Sequence, residues 1–424
     1  MGFCIMSNSS KKNHNKALNN KRIVFVNTCL YGSTGRIVKE LKDVVDANGY
    51  ESWTISAFDK KNNNFNSHNI VVGSYFERYL HIFLSRITGL GGLYSVASTS
   101  VLLLKMRRIK PAIIHIHNLH NAYINFPLLF NYLNRNNIRI VWTFHDCWPI
   151  TGRCPYFDLE NCSRWQTGCH HCPFPNNEYP ISYVDMSFVM WRIKRHYFTK
   201  PQQMVLVTPS NWLKQILENS FLKEYAKKVI YNGIDNSVFN PELSISDQFC
   251  IPHNKKILLG VALQWDRRKG LDVFIDLANR FDNTYQIVLV GIDDKQSAFL
   301  PKNIITINRT SSQKELAGLY SLADVFVNPT REDNFPTVNI EALASGTPIV
   351  CFDTGGNAEI VDTSCGIVVP KDDFDALVEA IITVSDHSDE YYDSCIKVAD
   401  KFNYKNTFKE YIELYEDLLT SGDN

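Results

Sequence analysis

Short runs of β-branched residues alternate with amphipathic segments along this chain, and the whole series occurs twice. In the first half, Arg22–Asn27, Ala112–His117 and Ile138–Thr143 have the composition of buried strands, and Phe126–Arg135 has helical periodicity. The second series begins at Lys256–Ala262. Because strands that alternate with helices form parallel sheets with helices on both faces, the sequence predicts an α/β chain with two Rossmann-like units.

The size of the chain and the segment between the two series support a two-domain organisation. A chain of 424 residues exceeds the roughly 250–300 residues at which one hydrophobic core stops growing. Residues 232–254 are polar and contain glycine and proline, which is typical of a linker. We therefore expect a disordered tail (1–21), an N-terminal domain (22–235) with a Cys-rich insertion (150–180), a C-terminal domain (236–400), and a final helix (401–424) that packs back toward the N-terminal domain.

The charge of the chain divides along the same boundary. The 44 Lys and Arg and 44 Asp and Glu residues give a formal net charge of zero, which argues against a nucleic-acid-binding protein. Residues 1–235 nevertheless hold 28 basic and 14 acidic residues, so the second half is acidic. No apolar run reaches the ~18–20 residues of a membrane-spanning helix, and the polar start lacks the apolar stretch of a signal peptide. These features predict a cytoplasmic protein.

Residues 328–350 combine the end of a strand, an acidic loop and the start of a helix. The first amides of a helix lack intrahelical acceptors, so those of Thr337, Val338 and Asn339, together with the helix dipole, suit an anion such as a diphosphate. Asp333 in the loop and Glu341 on the helix can accept hydrogen bonds from sugar hydroxyls. A ligand that has both a diphosphate for the amides and hydroxyls for the two acids is a nucleotide sugar. The alternative is that the two acids are solvated surface groups.

This segment resembles the acid-x7-acid motif of the retaining glycosyltransferases of family 4, which have the GT-B fold. Further segments match the family in order and spacing over residues 22–420, and these are His115 with His117, Thr143–Asp146, Val229–Asp235, Arg268–Gly270 and Gly355–Ile360. The chain is most similar to bacterial enzymes that build surface polysaccharides of the colanic-acid type. The resemblance implies two Rossmann-like domains facing each other across a cleft. It also implies transfer of a sugar from a nucleotide-sugar donor to a glycan or lipid-linked glycan acceptor.

The resemblance assigns roles to residues of the second domain. It implies that Glu341 holds the ribose hydroxyls, that Asp333 holds hydroxyls of the donor sugar, and that Lys269 with Arg268 neutralises the diphosphate. Cations and helix-end amides stabilise charge on the leaving diphosphate, so this enzyme type needs no metal or other cofactor for catalysis.

Two positions depart from the family pattern. Glu332 directly precedes Asp333, so either acid can hold the donor sugar. Gln264 stands where the family often has an arginine, which leaves Arg268 or Arg267 as the cationic partner of Lys269.

Two residues of the first domain complete the implied site. His145 follows the strand Ile138–Thr143, and the carboxyl ends of strands in open α/β sheets face the ligand crevice. The family places this histidine near the donor sugar, where it would orient hydroxyls and support the developing oxocarbenium ion; the alternative is a structural histidine. Gly32, in the loop after the first strand, would let the backbone approach a phosphate or the acceptor. The family retains the anomeric configuration by front-face substitution, so no enzyme nucleophile is expected.

Four cysteines form a cluster in the sequence. Cys154, Cys162, Cys169 and Cys172 have the spacing C-x7-C-x6-C-x2-C in a turn-rich stretch with little apolar content. Four thiolates suit tetrahedral zinc, and a closed Cys4 site is structural rather than catalytic. Structural zinc is the first hypothesis; disulfides or free thiols and an iron–sulfur cluster are the alternatives.

Residues 75–87 and 101–110 of the basic half mix apolar and basic side chains. Such helices either lie in a membrane interface or cover a protein core with their apolar face. The excess of Lys and Arg in this half favours contact with anionic lipid head groups. A lipid-linked acceptor would explain this contact, and it would place the protein peripherally at the inner face of the plasma membrane.

Two other functions are compatible with parts of the sequence. A non-hydrolysing nucleotide-sugar epimerase shares the two-domain architecture but lacks the combination of a segment like Val229–Asp235 (VIYNGID) with the acid-x7-acid motif. A zinc-containing nucleic-acid-binding protein would use the basic half and the cysteines, but it has no use for the sugar-nucleotide segment. Sugar transfer is therefore the leading hypothesis, with no nucleic-acid partner.

Overall fold

A computed structural model describes residues 21–59, 68–174, 180–241 and 249–420. The tail predicted at 1–21 lies outside the described residues, except for Lys21. The chain divides into two compact units: the first contains Met1–Pro209, Lys214–Ile230 and Phe408–Asn424, and the second contains Ser210–Leu213 and Tyr231–Thr407. In the described ranges, no helix is long and apolar enough to cross a membrane.

The first unit is built around a sheet of seven parallel strands. Its strands are β1 (Arg22–Val26), β2 (Glu51–Ala57), β3 (Asn69–Val72), β4 (Ile113–Ile116), β5 (Arg139–Thr143), β6 (Met204–Thr208) and β7 (Ala226–Val229). Its helices are α1 (Gly32–Ala47), α2 (Tyr75–Thr88), α3 (Val96–Ile109), α4 (Phe126–Arg135), α5 (Ser187–Phe198) and α6 (Asn211–Glu218, whose first residues belong to the second unit). The strand order is β3-β2-β1-β4-β5-β6-β7.

The second unit contains a sheet of six parallel strands. Its strands are β8 (Lys256–Val261), β9 (Tyr285–Val290), β10 (Ile304–Ile307), β11 (Val325–Asn328), β12 (Ile349–Phe352) and β13 (Gly366–Val369). Its helices are α7 (Leu271–Arg280), α8 (Asp294–Ser297), α9 (Gln313–Leu322), α10 (Thr337–Ala344), α11 (Asn357–Ile360), α12 (Phe374–Asp386), α13 (Ser388–Asp400) and α14 (Tyr404–Thr407). The strand order is β10-β9-β8-β11-β12-β13.

Both sheets have the doubly wound topology of Rossmann-like domains. In each, the first three strands extend to one side and the fourth strand continues on the other side of the first. This reversal creates a switch point between β1 and β4 in the first unit and between β8 and β11 in the second. Open α/β sheets bind ligands at the carboxyl ends of the strands at such points. The fold therefore selects the loops after these four strands as candidate sites.

The end of the chain contributes α15 (Lys409–Thr420) to the first unit. The hydroxyl of Tyr415 lies 2.6 Å from His115 Nδ1, and that of Tyr411 lies 2.9 Å from Thr143 Oγ1. The single final helix expected over 401–424 is instead two helices, α14 and α15. The break has a local cause, because the Tyr404 amide donates to the Ile234 carbonyl at 3.0 Å and holds the segment before Phe408 in the second unit.

Candidate functional site

The loops after β8 and β11 lie at the switch point of the second sheet and contact each other through their backbones. The loop after β8 ends at Gly270, which has a φ of +79°. A Cβ atom at this position would lie 2.5 Å from the carbonyl oxygen of Pro329, in the loop after β11. Only glycine accepts both the left-handed conformation and the close approach. Gly270 thereby keeps the preceding basic residues beside the acidic loop.

Basic and acidic side chains join the same two loops. The Lys269 Nζ lies 2.6 Å from the Asp333 carboxylate, and the two side chains are 20% and 19% exposed. Arg268 donates a hydrogen bond to the Glu332 carbonyl at 3.2 Å, and its own carbonyl accepts from the Arg331 amide at 2.8 Å. The structure thus brings together Arg268, Lys269 and Asp333, three of the residues predicted to bind the donor.

Arg331, which sequence reasoning missed, anchors the acidic loop. Its side chain is only 5% exposed and binds Asp272 of α7 through two hydrogen bonds of 2.8 Å. A third bond of 2.6 Å reaches Asp372. Burial opposes ionisation of Asp272, but the hydrogen bonds and charge of Arg331 outweigh it and lower the pKa of Asp272. The buried guanidinium fixes the backbone next to Asp333; an Arg beside two acids was the available sequence signal.

The position of α10 is set by a chain of buried asparagines. Asn328 donates to the side-chain oxygen of Asn339 at 2.7 Å, and Asn339 donates to that of Asn357 at 3.0 Å. Asn357 in turn donates to the Phe352 carbonyl at 3.0 Å. Buried amides need such partners. The network ties the helix to the ends of β11 and β12.

The start of α10 differs in one respect from the predicted anion site. The Asn339 amide donates to the Pro336 carbonyl at 3.1 Å. The prediction that this amide is available to an anion is therefore wrong, because the first turn already closes a hydrogen bond there. The expectation that the Thr337 and Val338 amides contact an anion stays a prediction.

The three candidate carboxylates occupy different environments. Glu332 and Glu341 are each 4% exposed. The hydroxyl of Tyr320, on α9, donates to Glu341 Oε2 at 3.4 Å. Asp333 is less buried and is the acid beside Lys269. The geometry therefore favours Asp333 over Glu332 as the acid that shares a ligand with the basic loop.

The segment Gly355–Ile360, noted for its resemblance to the family, packs against the acidic loop. Gly355 has a φ of +56°, and a Cβ atom there would lie 1.5 Å from the Asp333 carbonyl oxygen. Any side chain at this position would displace the loop. The family-like glycine therefore supports the position of Asp333.

In the first unit, histidines gather at the carboxyl ends of β4 and β5. His117 Nδ1 lies 2.8 Å from His145 Nε2, and their rings stack with centroids 5.1 Å apart. His115 stacks on His117 from the other side at 4.2 Å. Burial lowers the pKa of His145 to about 4 and that of His117 well below its ordinary value. The predicted catalytic His145 is therefore neutral near pH 7 and held by a second neutral histidine.

A charged pair lies in the loops that follow β4 and β5. His120 Nε2 lies 2.7 Å from the Asp146 carboxylate. Burial disfavours the charge on each, but their mutual attraction outweighs it, raising the pKa of His120 and lowering that of Asp146. Sequence spacing did not reveal this pair because 26 residues separate its members.

A cavity of about 260 Å³ in the first unit borders this pair. Arg78, Arg86, Arg153, His120 and the ring of Trp148 line it, and its described lining contains no acid. The neighbouring backbone at 121–122 has φ values of +76° and +59°. Such strained positions are concentrated at ligand sites. The position of His120 and Asn121 after a predicted strand made them weaker candidates for acceptor contacts, but the cavity itself was not predicted because its walls come from separate segments.

Gly32 has a different setting from the one expected. Helix α1 begins at Gly32, so this residue, expected within a loop, is the first residue of a helix. Gly32 has a φ of +71°, and a Cβ atom there would meet nothing within 4 Å. The backbone conformation, rather than close packing, requires this glycine, and space above it remains open.

The four clustered cysteines lie in one region of the first unit without a disulfide. Burial raises the pKa of Cys154, and the charges of Cys169, Cys172 and Cys162 add to that effect. The Cys169 sulfur accepts from the Gly152 amide at 3.1 Å. Within the part of the chain that the structure describes, no three or more His, Cys, Asp or Glu side chains have the arrangement of a metal site. Structural zinc stays a prediction.

Comparisons with known proteins match both units. The family model "Glycosyltransferase Family 4" matches residues 34–238, and "Glycosyl transferases group 1" matches residues 254–387. The colanic acid biosynthesis glycosyl transferase WcaC of Escherichia coli (strain K12) is 25% identical over 284 residues, which span 64% of this chain and 67% of the relative.

Solved structures share the fold over nearly the whole chain. Sucrose-phosphate synthase from Thermosynechococcus elongatus superposes with a TM-score of 0.71 at 17% identity, covering 95% of this chain and 100% of that chain. HepE of Anabaena, solved in complex with UDP and glucose, gives a TM-score of 0.65 at 15% identity, with 94% and 100% covered. These similarities confirm the GT-B fold.

Proposed function

We propose, from the premise that this chain belongs to the glycosyltransferases described by those two family models, that it transfers a sugar from a nucleotide-sugar donor to a glycan or lipid-linked glycan. The relative named for colanic acid biosynthesis supports a place in bacterial surface polysaccharide synthesis. The observation that carries the proposal is the contact of Lys269 with Asp333 at the switch point of the second sheet.

The donor is proposed to bind the second unit. Lys269 and Arg268 neutralise the diphosphate, and the Thr337 and Val338 amides add the positive end of the α10 dipole. Lys269 Nζ donates to one oxygen of Asp333 at 2.6 Å. The remaining ammonium donors can therefore reach the diphosphate, and the second Asp333 oxygen can accept from a sugar hydroxyl. Fixed cations at the leaving group stabilise the charge that develops there without a metal.

Glu341 is proposed to hold the ribose hydroxyls. Its carboxylate is nearly buried on α10, and the Tyr320 hydroxyl donates to it at 3.4 Å. An ionised acceptor in a site of low polarity forms strong hydrogen bonds with hydroxyl donors. UDP in the HepE complex supports a nucleoside diphosphate as ligand of this fold.

His145 is proposed to act as a neutral hydrogen-bonding group. Because burial lowers its pKa to about 4, it carries no proton to give as a general acid near pH 7. Its contact with His117 fixes the ring, and the ring or its backbone can then orient a sugar hydroxyl beside the oxocarbenium-like centre. This role fits retention by front-face substitution.

The acceptor is proposed to use the cavity of the first unit. Trp148 offers an apolar ring surface, and Arg86 and Arg153 offer cationic donors on its wall. A sugar that carries a phosphate has both complementary features: hydroxyl and ring surfaces for the aromatic wall, and an anion for the arginines.

Binding and product analysis test the proposal. Isothermal titration with UDP-, GDP-, ADP- and dTDP-sugars is expected to find one donor that binds at micromolar concentration. Glu341→Gln, which keeps the shape, is expected to weaken donor binding about 10- to 100-fold, since hydrogen bonds to a charged group contribute about 1.5–3 kcal/mol. Glu379→Gln, at an exposed position of α12, is the matched control.

Product analysis with and without acceptor distinguishes a glycosyltransferase from the epimerase alternative. A glycosyltransferase releases the nucleoside diphosphate only with acceptor or slowly to water, whereas an epimerase converts one nucleotide sugar into another without acceptor. Formation of an epimeric nucleotide sugar, or unchanged donor binding by Glu341→Gln, would contradict the proposal.

A further inference from the structure

Helix α2 exposes its apolar face instead of burying it. Phe76, Tyr79, Leu80, Phe83 and Ile87 recur every three or four residues and form one stripe, which we call the α2 face. Phe76, Tyr79 and Phe83 are 78%, 66% and 58% exposed. The buried residue of this helix is a histidine, His81. The alternative left open by the sequence, a helix that covers the core with its apolar side, therefore does not hold for α2.

The opposite side of α2 is fixed to the protein by polar contacts. The Gly92 amide donates to His81 Nε2 at 3.0 Å, so Nδ1 carries the proton of the neutral ring and donates to Ser95 Oγ at 2.7 Å. Glu77 accepts from Ser98 Oγ of α3 at 2.8 Å. These bonds hold the helix with its aromatic stripe outward, so the exposed stripe is a consequence of the native packing.

The α2 face continues onto a neighbouring segment. The Tyr183 amide donates to the Arg86 carbonyl at 2.8 Å, at the last turn of α2. Tyr183 and Val184 are exposed, as is Phe188 in the first turn of α5. The apolar surface is therefore wider than one helix, and it exceeds the scattered single apolar residues normal on a protein surface.

The helices that carry this surface are basic. Helices α2, α3 and α5 contain eight Lys and Arg residues, of which Lys194 is buried and Arg78 pairs with Asp59. Their one acid, Glu77, is bonded to Ser98, and Asp185 beside Val184 is a further exposed acid. Arg86, Arg108 and Arg192 are exposed, and in the described ranges no carboxylate forms an ion pair with Arg86 or Arg192. A second copy of the same surface would bring like charges together, whereas an anionic surface would neutralise them.

We infer that this surface docks the protein on a bilayer that contains anionic phospholipid. Aromatic side chains on one helix face enter the boundary between head groups and acyl chains, and flanking Lys and Arg contact the phosphates. Arg86, Ile82 and Ser85 of α2 also line the cavity described above. Docking would therefore bring that cavity next to the head groups, where a lipid-linked acceptor lies. The inference rests on exposure and charge and does not require the transferase proposal.

Vesicle flotation of the full chain tests the inference. Vesicles of phosphatidylcholine alone and of phosphatidylcholine with 30 mol% phosphatidylglycerol are compared at low and high salt, without any sugar donor. Wild type is expected to float with the anionic vesicles, and the bound fraction is expected to fall at high salt because screening weakens the head-group contacts. Phe76→Ser with Phe83→Ser is expected to lower the vesicle partition coefficient about tenfold or more.

Phe299→Ser provides the matched control. Phe299 is 88% exposed in the second unit, so this variant removes an exposed aromatic ring away from the α2 face and is expected to float like wild type. Absence of flotation with anionic vesicles at low salt, or equal flotation of the double variant, would overturn the inference. So would a concentration-dependent dimer in sedimentation that the double variant loses, because that result would assign the surface to a second copy. Donor titration of the double variant is expected to match wild type, which separates this test from that of the transferase proposal.

Discussion

Replacing Arg331 by Met is expected to destabilise the second unit. The guanidinium is 5% exposed and bonded to Asp272 and Asp372, and breaking a buried ion pair from one side costs about 3–5 kcal/mol. The two carboxylates are 48% and 46% exposed, so water replaces part of their lost hydrogen bonds. We therefore expect a loss of about 2–3 kcal/mol in the free energy of unfolding. Met fills most of the aliphatic volume, which limits the loss from packing.

Scanning calorimetry of the full chain measures this change. For a unit of this size, 1 kcal/mol shifts the unfolding midpoint by about 2–4 °C, so the transition of the second unit is expected to fall by roughly 5–10 °C. Donor binding is expected to weaken as well, because Arg331 positions the backbone beside Asp333. The transition of the first unit is expected to stay in place, which gives an internal reference.

Arg280→Met is the matched control for this prediction. Arg280 also contacts two carboxylates, Asp276 at 2.7 Å and Asp375 at 2.6 Å, but its side chain is 40% exposed. Exposed ion pairs contribute little because water competes for both partners, so this variant is expected to unfold close to wild type. Equal midpoints for the Arg331 and Arg280 variants would refute the reasoning that burial makes Arg331 an anchor.

Three further results are expected. Asn339→Ala removes the partners of the Asn328 side-chain NH2 group and of the Asn357 side-chain oxygen. Its free energy of unfolding, measured by urea denaturation, is expected to fall by about 2–4 kcal/mol. A change of less than about 0.5 kcal/mol would contradict the network. Burial lowers the pKa of His81 to about 4, so its contribution to stability is complete above pH ~6.5 and is lost as the pH falls toward 4. His81→Gln is expected to flatten the dependence of the thermal unfolding midpoint on pH in this range. An unchanged pH dependence would contradict this prediction. Elemental analysis of reduced, folded protein is expected to find about one zinc per chain. The double variant Cys169→Ser with Cys172→Ser is expected to hold less zinc, and wild-type protein without zinc would refute the zinc hypothesis.

The periodicity of the sequence predicted much of the sheet architecture. β4 and β5 occur where apolar β-branched runs predicted them, and α4 has the predicted bounds Phe126–Arg135. Strands β2 and β3 were missed, because Glu51–Ala57 contains polar residues and Asn69–Val72 is short. A polar residue in a strand is tolerated when a neighbouring side chain satisfies it; Thr54, for example, bonds to the Asn69 side chain at 3.0 Å.

The candidate site was predictable where its residues are close in sequence. Asp333 and Glu341 belong to one strand–loop–helix segment, so their spacing carries information about geometry. Lys269 came from the family resemblance, and its contact with Asp333 depends on the neighbouring positions of β8 and β11 in the sheet. The prediction for the Asn339 amide was wrong because residue spacing does not reveal that the Pro336 carbonyl accepts a hydrogen bond from this amide in the first turn of α10.

The sequence by itself determined the α/β class, the two Rossmann-like units and the family, because these follow from periodicity and from residues at fixed local spacing. Only the tertiary structure decided which strands are neighbours, and hence that His120 meets Asp146 and that Arg331 meets two distant acids. It also decided the direction of the apolar face of α2. A helical pattern shows that such a face exists, but whether the face meets the core or the solvent depends on the contacts made by the rest of the chain.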